Sequence, residues 1–260
     1  MPNTAIAVAT NHPQVSDPGS ITCEPPPFQG ICRTPGFWGT HACGMSGSLD
    51  PAQCEKARGD TAKAHNITQL ALDLAMDKAG GSLTICGEVI SNTQVPSGES
   101  ALEAICVKPS TDKSSPLQVA RQLMSAALNC AISNEALDDA YCAGTSNDEL
   151  FNACNTACAT AGGHTVTAEV NGFTVSCGAA IDCINNGFVF HLDTGTCGPE
   201  TSGCHDDSLT NVGACSISGD LCSNNDPCAE GAGECRPGPA GSSKACNAAR
   251  DNNCTIFGGC

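Results

Sequence analysis

Cysteine is the residue type here with the most chemistry to offer, at 21 of 260 residues. A thiol can ligate a metal, attack a substrate, anchor a haem or close a disulfide, and spacing separates these uses. Structural zinc sites draw on ligand pairs at short spacing. No Cys-x-x-Cys occurs, and the six His are scattered. Haem attachment needs Cys-x-x-Cys-His, which is absent by the same test. A catalytic thiol needs one reactive Cys beside a His, and no position stands out for that role. Disulfides remain, with about ten bridges expected. The simplest local pairs are Cys23 with Cys32, Cys43 with Cys54, and Cys177 with Cys183. Cys154 and Cys158 share a helix face at i, i+4, so each is expected to bridge to a different element. The odd count leaves one thiol over. Cys260, after Gly258-Gly259, is sterically the simplest place for an intermolecular bond, and a buried spare thiol is the alternative.

Carboxylates are the second chemical resource. The chain carries 11 Lys and Arg against 27 Asp and Glu, a net charge of −16. Residues 122–235 hold no Lys or Arg and 15 Asp and Glu, so nearly all the excess is one acidic block. A solvated, solubilising surface explains such a block. Cation binding is the competing use. Asp206, Asp207, Asp226, Glu230 and Glu234 offer hard oxygen ligands suited to Ca²⁺, although no Asp-x-Asp-x-Asp-Gly loop is present. No cofactor is expected, and calcium is the one that the composition leaves open.

The segment Gly36-Phe37-Trp38-Gly39-Thr40-His41 holds the single Trp and one of the six His. Its expected role is a core anchor, with Trp38 filling space that few other rings can fill and His41 hydrogen-bonded beside it. A His-based active site needs a partner acid or nucleophile, and none stands at a recognisable spacing. No catalytic residue is assigned and no enzyme is expected.

These residues must be positioned by a chain with only nine aromatics, seven Phe, one Trp and one Tyr. A core without large rings is built from Ala, Val, Ile and Leu or is stapled, and the Cys content points to stapling in an oxidising compartment. The acidic balance argues against nucleic acid or an anionic membrane surface as partner. No run of about 18 apolar residues is present to span a membrane. Met1–Pro13 lacks a basic n-region, so a signal peptide is expected to have been removed already. In the same stretch Thr4, Ile6, Val8 and Thr10 fall on one face of an extended chain and Ala5, Ala7 and Ala9 on the other. Ser16-Asp17-Pro18-Gly19-Ser20 then reads as a linker. This detached strand is either an edge strand or a donor strand for an open sheet in the next subunit, which would build a head-to-tail filament.

Hydropathy patterning places the other elements. Residues 51–80 read as helix, with Asp50 as cap, Pro51 at the first position and Gly80-Gly81 as the stop. Leu83–Ile90 alternates loosely as one strand, and Ser100–Val107 reads as a short helix. The clearest helix is Pro116–Ile132, where Leu117, Ala120, Leu123, Met124, Ala127, Leu128 and Ala131 share a face and Ser114 or Ser115 can cap. Asn147–Ala159 is a further helix. After residue 163 the period switches to two, and Asn171-Gly172 suits a type I′ turn joining residues 165–170 to Phe173–Cys177. Phe188–Phe190 is a third strand. From residue 197 no periodicity survives, and nine Cys sit among Gly, Asn and Ser. Asn66-Ile67-Thr68 and Asn253-Cys254-Thr255 fit the glycosylation sequon.

Arg33-Thr34-Pro35-Gly36-Phe37-Trp38-Gly39-Thr40-His41 resembles the opening motif of uncharacterised Cys-rich exported bacterial proteins. Ser100–Cys106, Leu117–Cys130 and Ile181–Gly187 are similar to the same group. The resemblance implies export and disulfides but no activity, so it transfers no functional residues. The N-terminal strand and the long Cys tail depart from it.

The expected protein is thus α+β and disulfide-rich. It divides into an N-terminal strand and linker (1–22), a mainly helical disulfide-bonded part (23–163), a β-hairpin region (164–196) and Cys-stapled loops (197–260). The expected role is a structural subunit of an extracellular filament or surface assembly, with copies of itself as partner. A secreted cation-dependent binding module or adhesin using the acidic block is the alternative.

Overall fold

The computed structural model describes residues 30–42, 66–94, 98–107, 115–133, 145–162, 164–201, 204–205, 212–215, 217–222 and 228–237. The fold is α+β and disulfide-rich, with six helices among these residues. They are α1 (Pro35–Thr40), α2 (Ile67–Lys78), α3 (Ala101–Ile105), α4 (Pro116–Ile132), α5 (Thr145–Thr160) and α6 (Cys177–Asn185). The strands are short: β1 (Gly30–Ile31), β2 (Leu83–Ile85), β3 (Glu88–Ile90), β4 (Thr167–Val170), β5 (Phe173–Ser176), β6 (Phe188–His191), β7 (Thr196–Thr201), β8 (Cys204–His205), β9 (Gly213–Cys215), β10 (Leu221–Cys222) and β11 (Cys235–Pro237). They form the two-stranded pairs β1–β8, β2–β3, β4–β5 and β6–β7 and the three-stranded sheet β10–β9–β11. Only β1–β8 is parallel.

Helix α4 is the centre of the molecule. Ser115 is extended at its N-cap and Pro116 opens the first turn, which needs no backbone donor from it. Helices α1, α2, α3, α5 and α6 all pack on it. Trp38, Leu72, Leu102, Leu123, Met124, Leu128 and Leu150 are fully buried around it. One contiguous core runs from Trp38 through these helices to Val175, Ile184 and Ala214. Val212, Ala214 and Leu221 give the Cys-rich tail a foothold in that core, so its strands are anchored by packing as well as by bridges.

Within the expected helix at 51–80, the described part is α2. Asn66 caps it, its side chain accepting from the Gln69 amide at 3.0 Å. Gly80 and Gly81, at φ 79° and 103°, end it. The sequon at Asn66 is therefore engaged in structure, and its Thr68 is fully buried, donating to the Trp38 carbonyl at 2.7 Å. Leu83–Ile90 is a hairpin rather than a single strand. Cys86 and Gly87 both take positive φ, 51° and 86°, as a type I′ turn requires. Cys is a poor residue for that conformation, so the turn lacks the usual Asn-Gly or Asp-Gly signal. Asn155 of α5 holds it, accepting from the Cys86 amide at 2.6 Å and donating to the Thr84 carbonyl at 2.8 Å. The β4–β5 hairpin forms as its sequence predicts, with Asn171 and Gly172 at φ 52° and 81°. Helix α6 then follows inside the segment read as β-hairpin.

The bridges of α5 follow packing rather than proximity in sequence. Cys154 and Cys158 leave α5 for different elements, Cys154 for Cys177 at the start of α6 and Cys158 for Cys86 in the β2–β3 turn. The local pair Cys177–Cys183 does not form. Both lie in α6, where six residues rise about 9 Å, beyond the Cα–Cα span of a disulfide. Cys183 instead reaches Cys197 in β7. Cys215–Cys228 and Cys222–Cys235 tie the three-stranded sheet, and Cys32 and Cys106 are also disulfide-bonded. The strand at Thr4, Ile6, Val8 and Thr10, together with Cys23, Cys43, Cys54 and Cys260, lies outside the described residues.

Candidate functional site

The motif at 33–41 folds as α1 and turns its aromatic side inward. Trp38 is fully buried and His41 nearly so, at 9% exposure. Phe37 stacks on the His41 ring at 4.0 Å between centroids and meets Trp38 edge-on at 5.1 Å. The Arg33 guanidinium lies 4.8 Å from the Phe37 centroid, a cation–π distance. The Phe37 carbonyl, 2.8 Å from His41 Nδ1, can only accept, so the imidazole proton sits on Nδ1. Trp38 and His41 therefore anchor the core, with the His tied to its own helix.

What holds α1 in place is a buried amide network. Asn129 of α4 accepts from the Arg33 amide at 2.9 Å and from Trp38 Nε1 at 3.0 Å. Its Nδ2 donates to the Arg33 carbonyl at 3.0 Å and to Asn185 Oδ1 at 2.9 Å. Two acceptor and two donor sites of one Asn are all used. Asn185 of α6 passes the chain on, donating to Gln122 Oε1 and to the Gln122 carbonyl, each at 2.9 Å. Gln122 Nε2 donates to Asp182 Oδ1 at 2.8 Å, and Ser125 Oγ to the Arg33 carbonyl at 2.8 Å. Three of the four stretches 33–41, 100–106, 117–130 and 181–187 are thus joined by hydrogen bonds. The fourth, α3, packs on both α1 and α4. This arrangement fixes the relative placement of three helices.

Two of the five calcium candidates lie among the described residues. Glu230 and Glu234 are exposed, and Asp206, Asp207 and Asp226 lie outside the described residues. Among the described residues, the group whose ligand atoms converge is Cys215, Cys222 and Cys228, with all three Sγ atoms within 4.8 Å of one another. Spacing alone passed over this group, because its cysteines stand seven, six and seven residues apart across to Cys235 and include no close pair. The amide network was equally hidden, since Gln and Asn on a helix read as solvent-facing.

No helix among the described residues is long and apolar enough to cross a membrane. The disulfide content is compatible with an extracellular protein. No protein-family model, curated protein or solved structure matches the chain.

Proposed function

We propose that this protein is a structural subunit of an extracellular filament or surface assembly, joined head to tail by donation of the N-terminal strand that carries Thr4, Ile6, Val8 and Thr10. The observation that carries the reading is the state of the sheets. Among the described residues β4 pairs only with β5, as β2 does with β3 and β6 with β7. A two-stranded sheet has an outer edge on each side whose N–H and C=O groups can pair with a strand from another chain. Strand β5 offers one such edge. Its residues Phe173–Ser176 carry no charge to repel an incoming strand, and Phe173 is 40% exposed. A donor strand and an acceptor edge are different surfaces of one chain, so the contact is heterologous and runs on unless it closes into a ring. The disulfide load suits a subunit that must stay folded outside the cell.

Negative-stain microscopy of the native protein, beside a variant lacking residues 1–13, tests this. Filaments or sheets that dissolve into single subunits on deletion are expected. Monodisperse globules in both samples would sink the reading. Oligomeric state under oxidising and reducing conditions then reports whether an intermolecular bond at Cys260 contributes.

A further inference from the structure

Cys215, Cys222, Cys228 and Cys235 close two bridges on one small sheet. The register pairs Cys235 with Cys215 and Cys222 with Gly213. Gly213 and Cys215 are two apart on β9, so they and the residues opposite them share a face of the sheet. Three of the four cysteines therefore project from one face, and Cys228 joins them from the β10–β11 connection. The Sγ atoms of Cys215, Cys222 and Cys228 lie within 4.8 Å of one another, and the fourth sulfur is bonded to Cys222.

We propose that these four sulfurs form a redox-gated site for a soft cation, closed while the two bridges are intact and taking one Zn²⁺ as a tetrathiolate once they open. A tetrahedral Zn–S₄ centre places its sulfurs about 3.8 Å apart. Bonded sulfurs must separate by roughly 2 Å, Cys222 and the Cys215–Cys228 pair draw together by up to about 1 Å, and Cys235, which is not one of the three converging sulfurs, must turn in to complete the set, shifts that rotation about the Cys side-chain torsions supplies. Backbone hydrogen bonds hold the shape of the segment alongside the bridges. The Cys215 amide donates to the Asp220 carbonyl at 2.8 Å, and the Gly219 amide to the Cys215 carbonyl at 2.9 Å. The Ile217 amide donates to the Ala232 carbonyl at 3.0 Å, and the Ala232 amide to the Ala229 carbonyl at 2.9 Å. The opposite face is seated on the main core through Ala214 and Leu221. Cys228 is half-buried and gives access, and the exposed carboxylates of Asp220, Glu230 and Glu234 on the same segment favour the approach of a cation. Thiolate ligands select a soft or borderline ion over Ca²⁺.

The chemistry balances with a dithiol as reductant. Each disulfide takes two electrons and two protons from one dithiol, which leaves as its cyclic disulfide. The four thiols formed then bind Zn²⁺ with release of four protons. The site is independent of the assembly proposed above.

The test uses the full oxidised chain. A dithiol is added stepwise, each sample is divided and alkylated with and without Zn²⁺, and the modified cysteines are mapped by peptide mass spectrometry. Once the two bridges open, zinc is expected to shield Cys215, Cys222, Cys228 and Cys235 and no others, with one Zn²⁺ per chain in native mass spectrometry. Cys228→Ser is expected to lose that shielding at the remaining three. Should this variant fail to fold, the wild-type comparison decides alone. Equal alkylation with and without zinc, shielding at other cysteines, or bridges that open only after Cys86–Cys158 and Cys154–Cys177 would each overturn the proposal.

Discussion

Asn129 and Asn185, 56 residues apart in sequence, meet amide to amide at 2.9 Å in the interior. Each is at most 2% exposed. Because every donor and acceptor of Asn129 is matched, the orientation of its amide is dictated and so is the docking of α1 against α4 and α6. A half-satisfied network in such a place would destabilise the core more than apolar packing would.

Asn129→Asp tests this directly. The change is nearly isosteric but sets an oxygen against the Arg33 carbonyl and Asn185 Oδ1, both acceptors. A loss of about 2–4 kcal/mol is expected from burying unmatched polar atoms. Trp38 is the only Trp, so its emission in a urea titration reads the network itself. A loss below about 0.5 kcal/mol, the range of ordinary surface substitutions, would show that the network is dispensable.

The bridges should rank by the length of chain they close. Cys86–Cys158 spans 72 residues and Cys183–Cys197 spans 14. Loop-closure entropy makes the longer one worth about 1.5 kcal/mol more. The comparison is Cys86→Asn with Cys158→Ser against Cys183→Ser with Cys197→Ser. Asn at position 86 tolerates the left-handed backbone there. Thermal melts of the two double variants should differ in this order, and the reverse order would contradict it.

Two glycines at the same turn position separate strain from crowding. Gly172, at φ 81°, has open space where a Cβ would sit, so Gly172→Ala should cost about 1 kcal/mol of backbone strain alone. Gly87, at φ 86°, would also bring its Cβ to 3.3 Å from that of Ala159. Gly87→Ala should therefore be the more destabilising in calorimetry. Equal melting temperatures would mean that α5 yields freely at Ala159.

The proposed head-to-tail association would bring acidic blocks together and should respond to salt. Self-repulsion of a chain with net charge −16 opposes assembly at low ionic strength. Screening at about 0.15 M, where the Debye length is about 8 Å, should promote it. Light scattering over a salt series is expected to rise, and a fall with salt would point to attractive charge contacts between subunits instead.

Local signals were readable where local physics decides. The apolar period over Pro116–Ile132 and the Asn171-Gly172 turn each appear where the sequence places them. The β2–β3 turn was not readable, because Cys86 takes its conformation from Asn155 and Cys158 rather than from its own preference. Helix α6 was missed because it is nine residues long and follows a strand without a strong cap.

By itself the sequence determined the α+β, disulfide-rich class, the central helix and the divergence of Cys154 and Cys158, since these depend on composition and on spacing along one element. Tertiary structure alone decided which polar residues go inside and which cysteines pair. An amphipathic reading of α4 leaves Gln122, Ser125 and Asn129 to water, yet neighbours on every side bury them and supply their hydrogen bonds. A disulfide needs two Cα atoms about 5.5–6 Å apart. That distance is a property of packed elements, which is why Cys177 finds Cys154 across the core and not Cys183 in its own helix.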